Sequence, residues 1–251
     1  MLTEERHQYI IEKLQKEHTL KTQELMEELG CSESTVRRDL SQLEEEGVLV
    51  RVHGGAKRVY TMSSEPEMEE KSAKNIQEKQ QIARFAAGLV EEEDILFLDA
   101  GSTTYEVIPY LEGIQNLLVV TNGVSHAQLL TEHNIATILL GGQIKLKTKA
   151  IIGATAQEQL SGYRFSKAFL GMNGIDEEFG CTTPDVEEAA IKRLAGSHAN
   201  QSYVLADHSK FHQVSFSKVG ELEDYVVITD HLASREQEAF NRRTKVWEAA
   251  K

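Results

Sequence analysis

Six consecutive residues after an apolar run, DAGSTT at residues 99–104, have the composition of an anion-binding loop. Gly101 would let backbone N–H groups approach an anion closely, and Ser102, Thr103 and Thr104 add hydroxyl donors at a predicted helix start. Such a loop can hold a phosphate. It can do so in an enzyme or in a protein that only senses a phosphorylated molecule.

Four other polar loops follow apolar runs, at residues 121–123, 141–145, 171–176 and 207–210. In open α/β sheets, ligands bind outside the carboxyl ends of the strands. One glycine-rich loop is more often a simple turn, but five loops in this position favour convergence on a single pocket. Lys210 would supply the positive charge that a phosphate needs. These loops add the following predicted ligand contacts: Asn122, Gly141, Gly142, Lys145 and Lys210.

Two further residue groups could do chemistry. Asp99 could act as a catalytic carboxylate, but an aspartate at a strand end more often caps a loop or binds a hydroxyl, and we favour that role at the ligand site. His208 and His212 are four residues apart and could share a helical face as metal ligands. No cysteine or Glu-x-x pattern accompanies them, so metal binding is the weaker interpretation. We expect no cofactor and no metal.

The strands that precede the loops must position them. From residue 76 onwards, apolar runs alternate with helical stretches, which is typical of an α/β domain with a mostly parallel sheet. Residues 60–75 are polar, contain Pro66 and lack apolar periodicity, so we interpret them as a linker. The apolar runs lie at residues 95–99, 117–121, 135–140, 167–171, 203–207 and 225–230.

Residues 1–59 have a different pattern, with three short amphipathic helices followed by a hairpin signal. Gly30 ends the second helix as a C′ residue would. Ser32 is the N-cap of the third helix, and Gly47 stops it. Three helices followed by a β-hairpin predict a winged helix-turn-helix. The four segments lie at residues 4–16, 22–29, 31–47 and 48–59.

The third helix carries its cationic side chains near its start. In a helix-turn-helix, the first residues of the recognition helix reach base edges in the major groove, and arginine is the commonest partner of guanine. Residues 1–60 hold 9 Lys and Arg against 12 Asp and Glu, which would also suit a solvated interaction domain. The acidic run 44–46 lies at the far end of the helix, away from the cationic residues, so the distribution of charge favours DNA binding. The predicted DNA contacts are Ser34, Thr35, Arg37 and Arg38 in the helix, and Arg51, His53, Lys57 and Arg58 in the hairpin.

Composition limits the remaining possibilities. The chain has 251 residues, 40% of them hydrophobic, which is enough for two domains. Its net charge of −13 argues against general nucleic-acid binding, because affinity for phosphates comes largely from Lys and Arg. Two cysteines are too few for a disulfide framework, and no apolar run is long enough to span a membrane. We therefore expect a cytoplasmic protein.

The run SESTVRRDLSQLEEEGVLVRVHGGA at residues 32–56 resembles the signature of the DeoR family of bacterial transcriptional regulators. The resemblance continues through the second domain and spans almost the whole chain. It implies that Arg37 and Arg38 face operator DNA. It also implies that the turn at residues 53–55 is the tip of the wing.

The second domain resembles the sugar-phosphate fold of ribose 5-phosphate isomerase. That enzyme has a Gly-Ser-Thr loop, an Asp-Gly-Ala-Asp run, a later glutamate base and an Ala-Asp-x-Ser-Lys segment. This chain has AGSTT, NGID, a glutamate at Glu187 or Glu188, and ADHSK. Asn173 replaces the first of the paired carboxylates, and an amide cannot act as a general base. The resemblance therefore implies binding without isomerisation, with Asp176, Glu187 and Lys210 contacting sugar hydroxyls and phosphate.

These resemblances imply a DeoR-type repressor, with a winged helix-turn-helix at residues 1–59, a linker at 60–75 and a sugar-phosphate-binding α/β domain at 76–251. The motifs RVHGG, VTNGV and GMNGIDEEFGCTTPD resemble those of fructose-operon repressors of Gram-positive bacteria. That resemblance implies fructose 1-phosphate as the effector that releases the operator. Tagatose and galactitol phosphates are the alternative effectors.

We expect a homo-oligomer, either a dimer or a tetramer, because helix-turn-helix proteins usually read paired half-sites. Two other functions stay open from the sequence. One is a sugar-phosphate isomerase that carries a DNA-binding regulatory module. The other is a DNA-binding activator that requires its ligand.

Overall fold

The chain divides into two compact units, Met1–Thr61 (the N-terminal unit) and Met62–Lys251 (the C-terminal unit). Within the parts of the chain that the structure covers, no helix combines the length and apolar character needed to cross a membrane. The structure is a computed structural model that describes residues 2–17, 19–59 and 67–249, without the side chains of Gln15 and Lys16.

The N-terminal unit is a winged helix-turn-helix, as the helical periodicity and the hairpin signal predict. Its elements are α1 Thr3–Glu17, β1 Thr19–Lys21, α2 Thr22–Leu29, α3 Glu33–Glu45, β2 Leu49–Val52 and β3 Gly55–Arg58. α2 ends at Gly30, whose φ of 61° lies in the left-handed region that glycine adopts without steric cost. Ser32 caps α3, because its side chain accepts a hydrogen bond from the Thr35 backbone N–H at 3.3 Å.

A short strand that we did not predict, β1, completes the wing. β3 pairs antiparallel with both β1 and β2, in the order β1-β3-β2. At Gly55 a Cβ atom would lie 1.9 Å from the Leu20 carbonyl oxygen of β1. Gly54 beside it has a φ of 82°. The two glycines therefore meet different needs, one for close approach of two backbones and one for a left-handed turn.

One apolar cluster and one ion pair fix α3 against the rest of the N-terminal unit. Asp39 of α3 is 2% exposed and accepts hydrogen bonds from Arg6 Nε at 2.7 Å and Arg6 Nη2 at 2.9 Å. This bidentate contact joins α1 to α3 and sets which face of α3 points outwards. The buried apolar cluster comprises Ile10, Leu14, Leu20, Leu25, Leu29, Val36, Leu40, Leu43, Leu49 and Ala56.

The C-terminal unit is an α/β unit, and each apolar run found in the sequence supplies one of its strands. Turns of 3-10 helix occur at Ile108–Leu111, His208–Lys210 and Leu222–Asp224. Its other elements are α4 Met68–Ala73, α5 Ile76–Ala87, β4 Ile95–Leu98, α6 Ser102–Tyr105, β5 Leu118–Thr121, α7 Val124–Glu132, β6 Ala136–Leu139, β7 Gln143–Lys145, β8 Ala150–Ile152, α8 Ala154–Ser161, β9 Phe165–Gly171, β10 Gly174–Asp176, β11 Gly180–Thr183, α9 Val186–Ser197, β12 Ala199–Leu205, β13 Ser217–Gly220, β14 Val226–Thr229, α10 Ser234–Phe240 and β15 Lys245–Glu248.

The central sheet, formed within residues 67–249, has seven parallel strands in the order β15-β14-β12-β9-β4-β5-β6. The chain moves outwards from β4 to β5 and β6, and then returns to the other side of β4 as β9. The strand order thus reverses between β4 and β9, where the carboxyl ends of open parallel sheets form a ligand crevice. The predicted phosphate loop begins at this crevice.

Apolar residues cover both faces of the central sheet. In β4, Phe97 packs into the cluster on one face, and Leu96 and Leu98 pack into the cluster on the other. A strand buried on both faces is continuously apolar, which is why the sequence shows unbroken runs rather than alternation. Two small antiparallel sheets, β7-β8 and β10-β11-β13, lie beside the central one.

Residues 60–75, which we interpreted as a linker, are in part helical. Residues 60–66 lie outside the described part of the chain, and α4 occupies most of what remains. The segment has no apolar periodicity, so its helix could not be predicted from pattern. No residue of α4 is buried, so polar contacts with the rest of the unit determine its position.

Candidate functional site

A cleft opens at the crevice between the carboxyl ends of β4 and β9. Residues that follow these two strands line it, together with residues of α4, α9 and the turn at His208–Lys210. The cleft encloses about 840 Å³, including its open mouth. Its polar lining residues are Glu70, Lys71, Lys74, Lys79, Ser102, Thr103, Thr148, Asn173, Glu188, Lys192, Asp207 and Lys210.

A buried ion pair lies at the inner side of the cleft. Asp99 is 1% exposed, and Lys192 of α9 is 5% exposed. The Lys192 ammonium donates a hydrogen bond to Asp99 Oδ2, and the Gly171 backbone N–H donates to the same oxygen at 3.0 Å. Asp99 therefore links the ends of β4 and β9 to α9. These contacts fix the loop, and Asp99 itself is not among the residues that line the cleft, so its predicted ligand contact is not brought to the lining surface.

The loop after β4 presents Gly101, Ser102 and Thr103 to the cleft. Thr104 is fully buried instead, and its hydroxyl donates to the Asp99 carbonyl at 2.6 Å. Of the residues predicted to contact the anion in this loop, Gly101, Ser102 and Thr103 thus face the cleft, and Thr104 holds the loop in shape.

Asn122 and His126 support this loop from inside the unit. Asn122 Oδ1 accepts a hydrogen bond from the Ala100 backbone N–H at 3.0 Å. His126 Nε2 lies 3.1 Å from the Gly101 carbonyl and 3.2 Å from the Thr104 hydroxyl oxygen. A carbonyl oxygen can only accept, so Nε2 carries the ring proton. Asn122 is therefore placed behind the loop rather than at the ligand surface.

His126 should make the stability of the unit depend on pH. Burial lowers its pKa to about 3, whereas an unfolded histidine has a pKa of about 6.5. At a pH between these two pKa values, the unfolded state binds one proton more than the folded state. The free energy of unfolding present at neutral pH is therefore lost as the pH falls. From pH 7 to 4.5, wild type should lose about 2–3 kcal/mol more unfolding free energy than His126→Gln. Urea titrations at each pH measure this difference; parallel pH profiles would contradict it.

Cations outnumber carboxylates among the described residues that line the cleft. Burial alone would raise the pKa of Asp207, but the hydrogen bond from Ser209 and the charge of Lys210 outweigh burial and keep that pKa below its ordinary value. The cleft therefore suits an anionic ligand, although the whole chain is acidic. The lining charges are Lys71, Lys74, Lys79, Lys192 and Lys210 against Glu70, Glu188 and Asp207.

The glycine-rich loop after β6 is not at the cleft. β6 is an edge strand of the central sheet, two strands from the crevice. The Gly141 N–H donates to Gln159 Oε1 at 2.8 Å. Lys145 pairs with Asp185 at 2.9 Å and with Glu188 at 3.3 Å. The predicted contacts Gly141, Gly142 and Lys145 are therefore not brought to the lining surface.

Two predicted carboxylate contacts, Asp176 and Glu187, also lie outside the lining. Asp176 is fully buried, and its Oδ1 accepts hydrogen bonds from the backbone N–H groups of the β10–β11 turn at 2.9 and 3.0 Å. Glu187 accepts from Gln157 at 3.3 Å. Its neighbour Glu188 lines the cleft instead and accepts from the Thr148 hydroxyl at 2.6 Å.

Several residues that line the cleft were not predicted from the sequence. Lys192 lies four residues after Glu188 on α9. This spacing places both side chains on one helical face and could have indicated that they line the same cleft. Lys71 and Lys74 fall in the segment interpreted as a linker. Lys79 belongs to α5, and its burial at 3% exposure is a tertiary effect with no signal in the sequence.

The predicted DNA contacts lie on α3 and the wing of the N-terminal unit. Thr35 and Arg58 are half-buried, and the other six predicted contacts are exposed. Arg37 Nη2 lies 2.6 Å from Glu33 Oε1 within α3. Arg51 Nη1 of the wing donates to the Ser41 hydroxyl of α3 at 2.7 Å, so the wing and the helix are in contact. The exposed residues are Ser34, Arg37, Arg38, Arg51, His53 and Lys57.

The two histidines weighed as metal ligands have separate surroundings. His208 Nδ1 lies 2.7 Å from Asp230 Oδ2. His212 Nε2 lies 3.6 Å from Glu236 Oε1, and its ring packs against Phe240. Over residues 2–17, 19–59 and 67–249, no three His, Cys, Asp or Glu side chains are grouped so that they could hold a metal.

A winged helix-turn-helix followed by an α/β unit with a cation-lined cleft defines a DNA-binding regulator with a ligand-sensing unit. The model of the DeoR-like helix-turn-helix domain matches residues 6–61. The model of the DeoR C terminal sensor domain matches residues 74–231. The chain belongs to the DeoR family of transcriptional regulators.

Relatives named as regulators match over almost the whole chain. The uncharacterized HTH-type transcriptional regulator FruR of Bacillus subtilis is 46% identical over 98% of this chain and 98% of its own length. The HTH-type transcriptional regulator GlpR of Haloferax volcanii is 36% identical over 92% and 91%. The lactose phosphotransferase system repressor of Staphylococcus epidermidis is 35% identical over 86% and 87%.

Similarity to solved structures is weaker. Ribose 5-phosphate isomerase A of Methanocaldococcus jannaschii aligns over 55% of each chain, with 20% identity and a TM-score of 0.42. At these values the similarity supports no inference about activity.

Proposed function

We propose that this chain represses an operon for the use of a sugar, specifically fructose, and that fructose 1-phosphate releases it from operator DNA. The observation that carries the proposal is the cleft at the strand-order reversal, where the Gly101-Ser102-Thr103 loop faces a lining rich in lysine. A phosphorylated sugar has the charge that such a lining attracts and the hydroxyls that Asn173 and Glu188 can bind.

The names of relatives support a repressor of sugar genes. The relative at 46% identity bears the name FruR, and two others are named as a lactose phosphotransferase system repressor and a putative aga operon repressor. The fructose assignment rests on the first name and on the motif resemblance. Tagatose and galactitol phosphates are the alternative effectors.

We further propose that the cleft binds its ligand without isomerising it. Isomerisation of a sugar phosphate needs positioned groups that remove and return a proton. Asn173 brings an amide to the cleft, and its Oδ1 accepts a hydrogen bond from Thr183 at 3.0 Å. Asp176 uses a carboxylate oxygen to cap its own turn. Turnover of any sugar phosphate that is lost in Glu188→Gln would overturn this part of the proposal.

The repressor proposal predicts that ligand weakens DNA binding. Operator duplexes selected from random DNA by this chain should bind less tightly when fructose 1-phosphate is present, by about 5- to 150-fold. Fluorescence anisotropy measures this change, with unphosphorylated fructose as the control. Reciprocity requires that operator weakens fructose 1-phosphate binding by the same factor.

Other outcomes of that titration identify other functions. Tighter DNA binding with fructose 1-phosphate would indicate a ligand-dependent activator. A larger effect of a tagatose or galactitol phosphate would reassign the effector. No effect of any sugar phosphate would overturn the sensor proposal. Paired half-sites in the selected DNA would support the homo-oligomer that we propose.

A further inference from the structure

α4 borders the ligand cleft, although it lies in the segment that connects the two units in sequence. Met68, Glu70 and Lys71 of α4 line the cleft, and so does Lys74 directly after it. No residue of α4 is buried, so the helix adds nothing to the apolar core. What α4 contributes to the unit is one side of the cleft.

Polar contacts hold both ends of α4. The Met68 backbone N–H donates to the Lys147 carbonyl at 3.1 Å, which fixes the start of the helix on the β7–β8 hairpin. The buried Lys79 of α5 donates to the Lys71 carbonyl and, at 2.7 Å, to the Lys74 carbonyl. A lysine on the last carbonyls of a helix satisfies acceptors that have no partner within that helix.

Asn75 joins the end of α4 to another part of the cleft. Its φ of 53° lies in the left-handed region. Its Nδ2 donates to Asp207 Oδ1 at 2.8 Å, and Asp207 lines the cleft together with Lys210. The residues that position α4 therefore include residues that line the cleft.

We propose that the phosphate of the ligand is held between the end of α4 and the turn that carries Lys210, with Lys71 of α4 and Lys74 directly after it as donors. The proposal rests on the phosphorylated ligand proposed above. Lys71 and Lys74 both line the cleft, one in the last turn of α4 and one directly after it, so their ammonium groups can reach the same ligand. The lysine ammonium is a compact point charge that suits a phosphate.

The charges around α4 favour an anion at this end of the cleft. Burial lowers the pKa of Lys79, and the charges of Lys210 and Lys74 lower it further, against the opposing charge of Asp207. A phosphate dianion would relieve the repulsion among these lysines. The sugar hydroxyls would then lie towards Asn173, on the side of the cleft formed by β9.

The same placement gives the ligand a route to the N-terminal unit through the chain itself. α4 is the first described element after residues 60–66, which lead from the winged helix-turn-helix. A phosphate bound to Lys71 and Lys74 would fix the beginning of the C-terminal unit. Loss of these lysines should therefore reduce operator release together with ligand affinity.

Calorimetric titration of the full chain with fructose 1-phosphate tests the proposal. The double variant Lys71→Met/Lys74→Met should bind about 10- to 100-fold more weakly than wild type, because charged hydrogen bonds to the phosphate are lost. Its affinity should also depend less on salt, which a merely structural defect would not produce. Lys245→Met, an exposed lysine of edge strand β15, removes the same charge elsewhere and should bind like wild type.

Asn75→Gly tests the position of α4 without removing a charge. Glycine keeps the left-handed conformation and loses the hydrogen bonds from Asn75 Nδ2 to Asp207 Oδ1 and, at 3.4 Å, to Ser209 Oγ, so affinity should fall about 3- to 10-fold. The thermal midpoints of the variants check that they fold. Wild-type affinity and salt dependence in the double variant would overturn the role of α4 and leave the proposed function standing. If wild type binds no sugar phosphate, both fail.

Discussion

Replacing Lys192 with methionine is expected to lower the free energy of unfolding of the C-terminal unit by about 3–5 kcal/mol and to abolish ligand binding. The Lys192 ammonium is the counter-ion of Asp99, and both side chains are almost fully buried. Without it, the Asp99 carboxylate keeps the hydrogen bond from Gly171 but remains as an uncompensated buried charge. Denaturant unfolding followed by the fluorescence of Trp247, the single tryptophan of the chain, reports on this unit.

A double-mutant cycle separates the ion pair from simple loss of packing. Asp99→Asn/Lys192→Met removes both charges and leaves an amide that can still accept from Gly171. This variant should recover most of the stability lost in Lys192→Met, because a neutral pair leaves no buried charge uncompensated. Ligand binding should not recover, since the cation in the cleft is still missing.

The matched control is an exposed ion pair of the same unit. Lys218 and Glu221 approach to 2.6 Å, and their side chains are 46% and 51% exposed. Lys218→Met should cost no more than about 0.5 kcal/mol, because water screens such a pair. If Lys192→Met proved as mild as Lys218→Met, the buried pair would not be the element that holds β4, β9 and α9 together.

Removing either arginine from the start of α3 is expected to weaken operator binding by about 10- to 150-fold, which corresponds to the 1–3 kcal/mol of a good base contact. Arg37 and Arg38 are exposed on the first turns of the helix. Arg37 must break its ion pair with Glu33 before it contacts DNA. Both side chains are largely exposed, so breaking this pair costs little free energy. Anisotropy titrations of Arg37→Ala and Arg38→Ala measure the loss.

The effect of these substitutions should be confined to DNA. Affinity for fructose 1-phosphate should equal that of wild type in both variants, since the proposed ligand cleft lies in the C-terminal unit. Lys13→Ala removes one positive charge from α1, where Lys13 pairs with Glu28 at 2.6 Å, and should change operator affinity far less. Unchanged sequence-specific binding by the arginine variants would assign recognition to another surface.

Much of the fold could be predicted from local pattern. The helices of the winged helix-turn-helix follow from apolar periodicity and from caps such as Ser32 and Gly30, which act within a few residues. The central strands follow from unbroken apolar runs, because both faces of a parallel sheet are covered. β1, with three residues, and the helix α4 gave no such signal, since contacts distant in sequence stabilise them.

The site could be predicted only in part, because strand order decides which loops meet. The loops after β4 and β9 meet at the reversal of strand order, whereas the loop with Gly141 follows an edge strand. On α9, neighbouring residues point in directions about 100° apart, so packing selects Glu188 over Glu187 for the cleft. Asp176 turned out to cap its own turn.

The sequence by itself determined the two kinds of domain, their family and the chemical type of the main loop, because these depend on short-range pattern and on a long motif. The tertiary structure alone decided that Lys71, Lys74, Lys79 and Lys192 line one cleft. Lys71, Lys79 and Lys192 belong to three helices, and Lys74 directly follows the first of them. The four are separated by up to about 120 positions in the chain, and no local propensity encodes their meeting. Their convergence depends on the strand order and on the polar contacts that hold α4, both of which form only when the sheet is assembled.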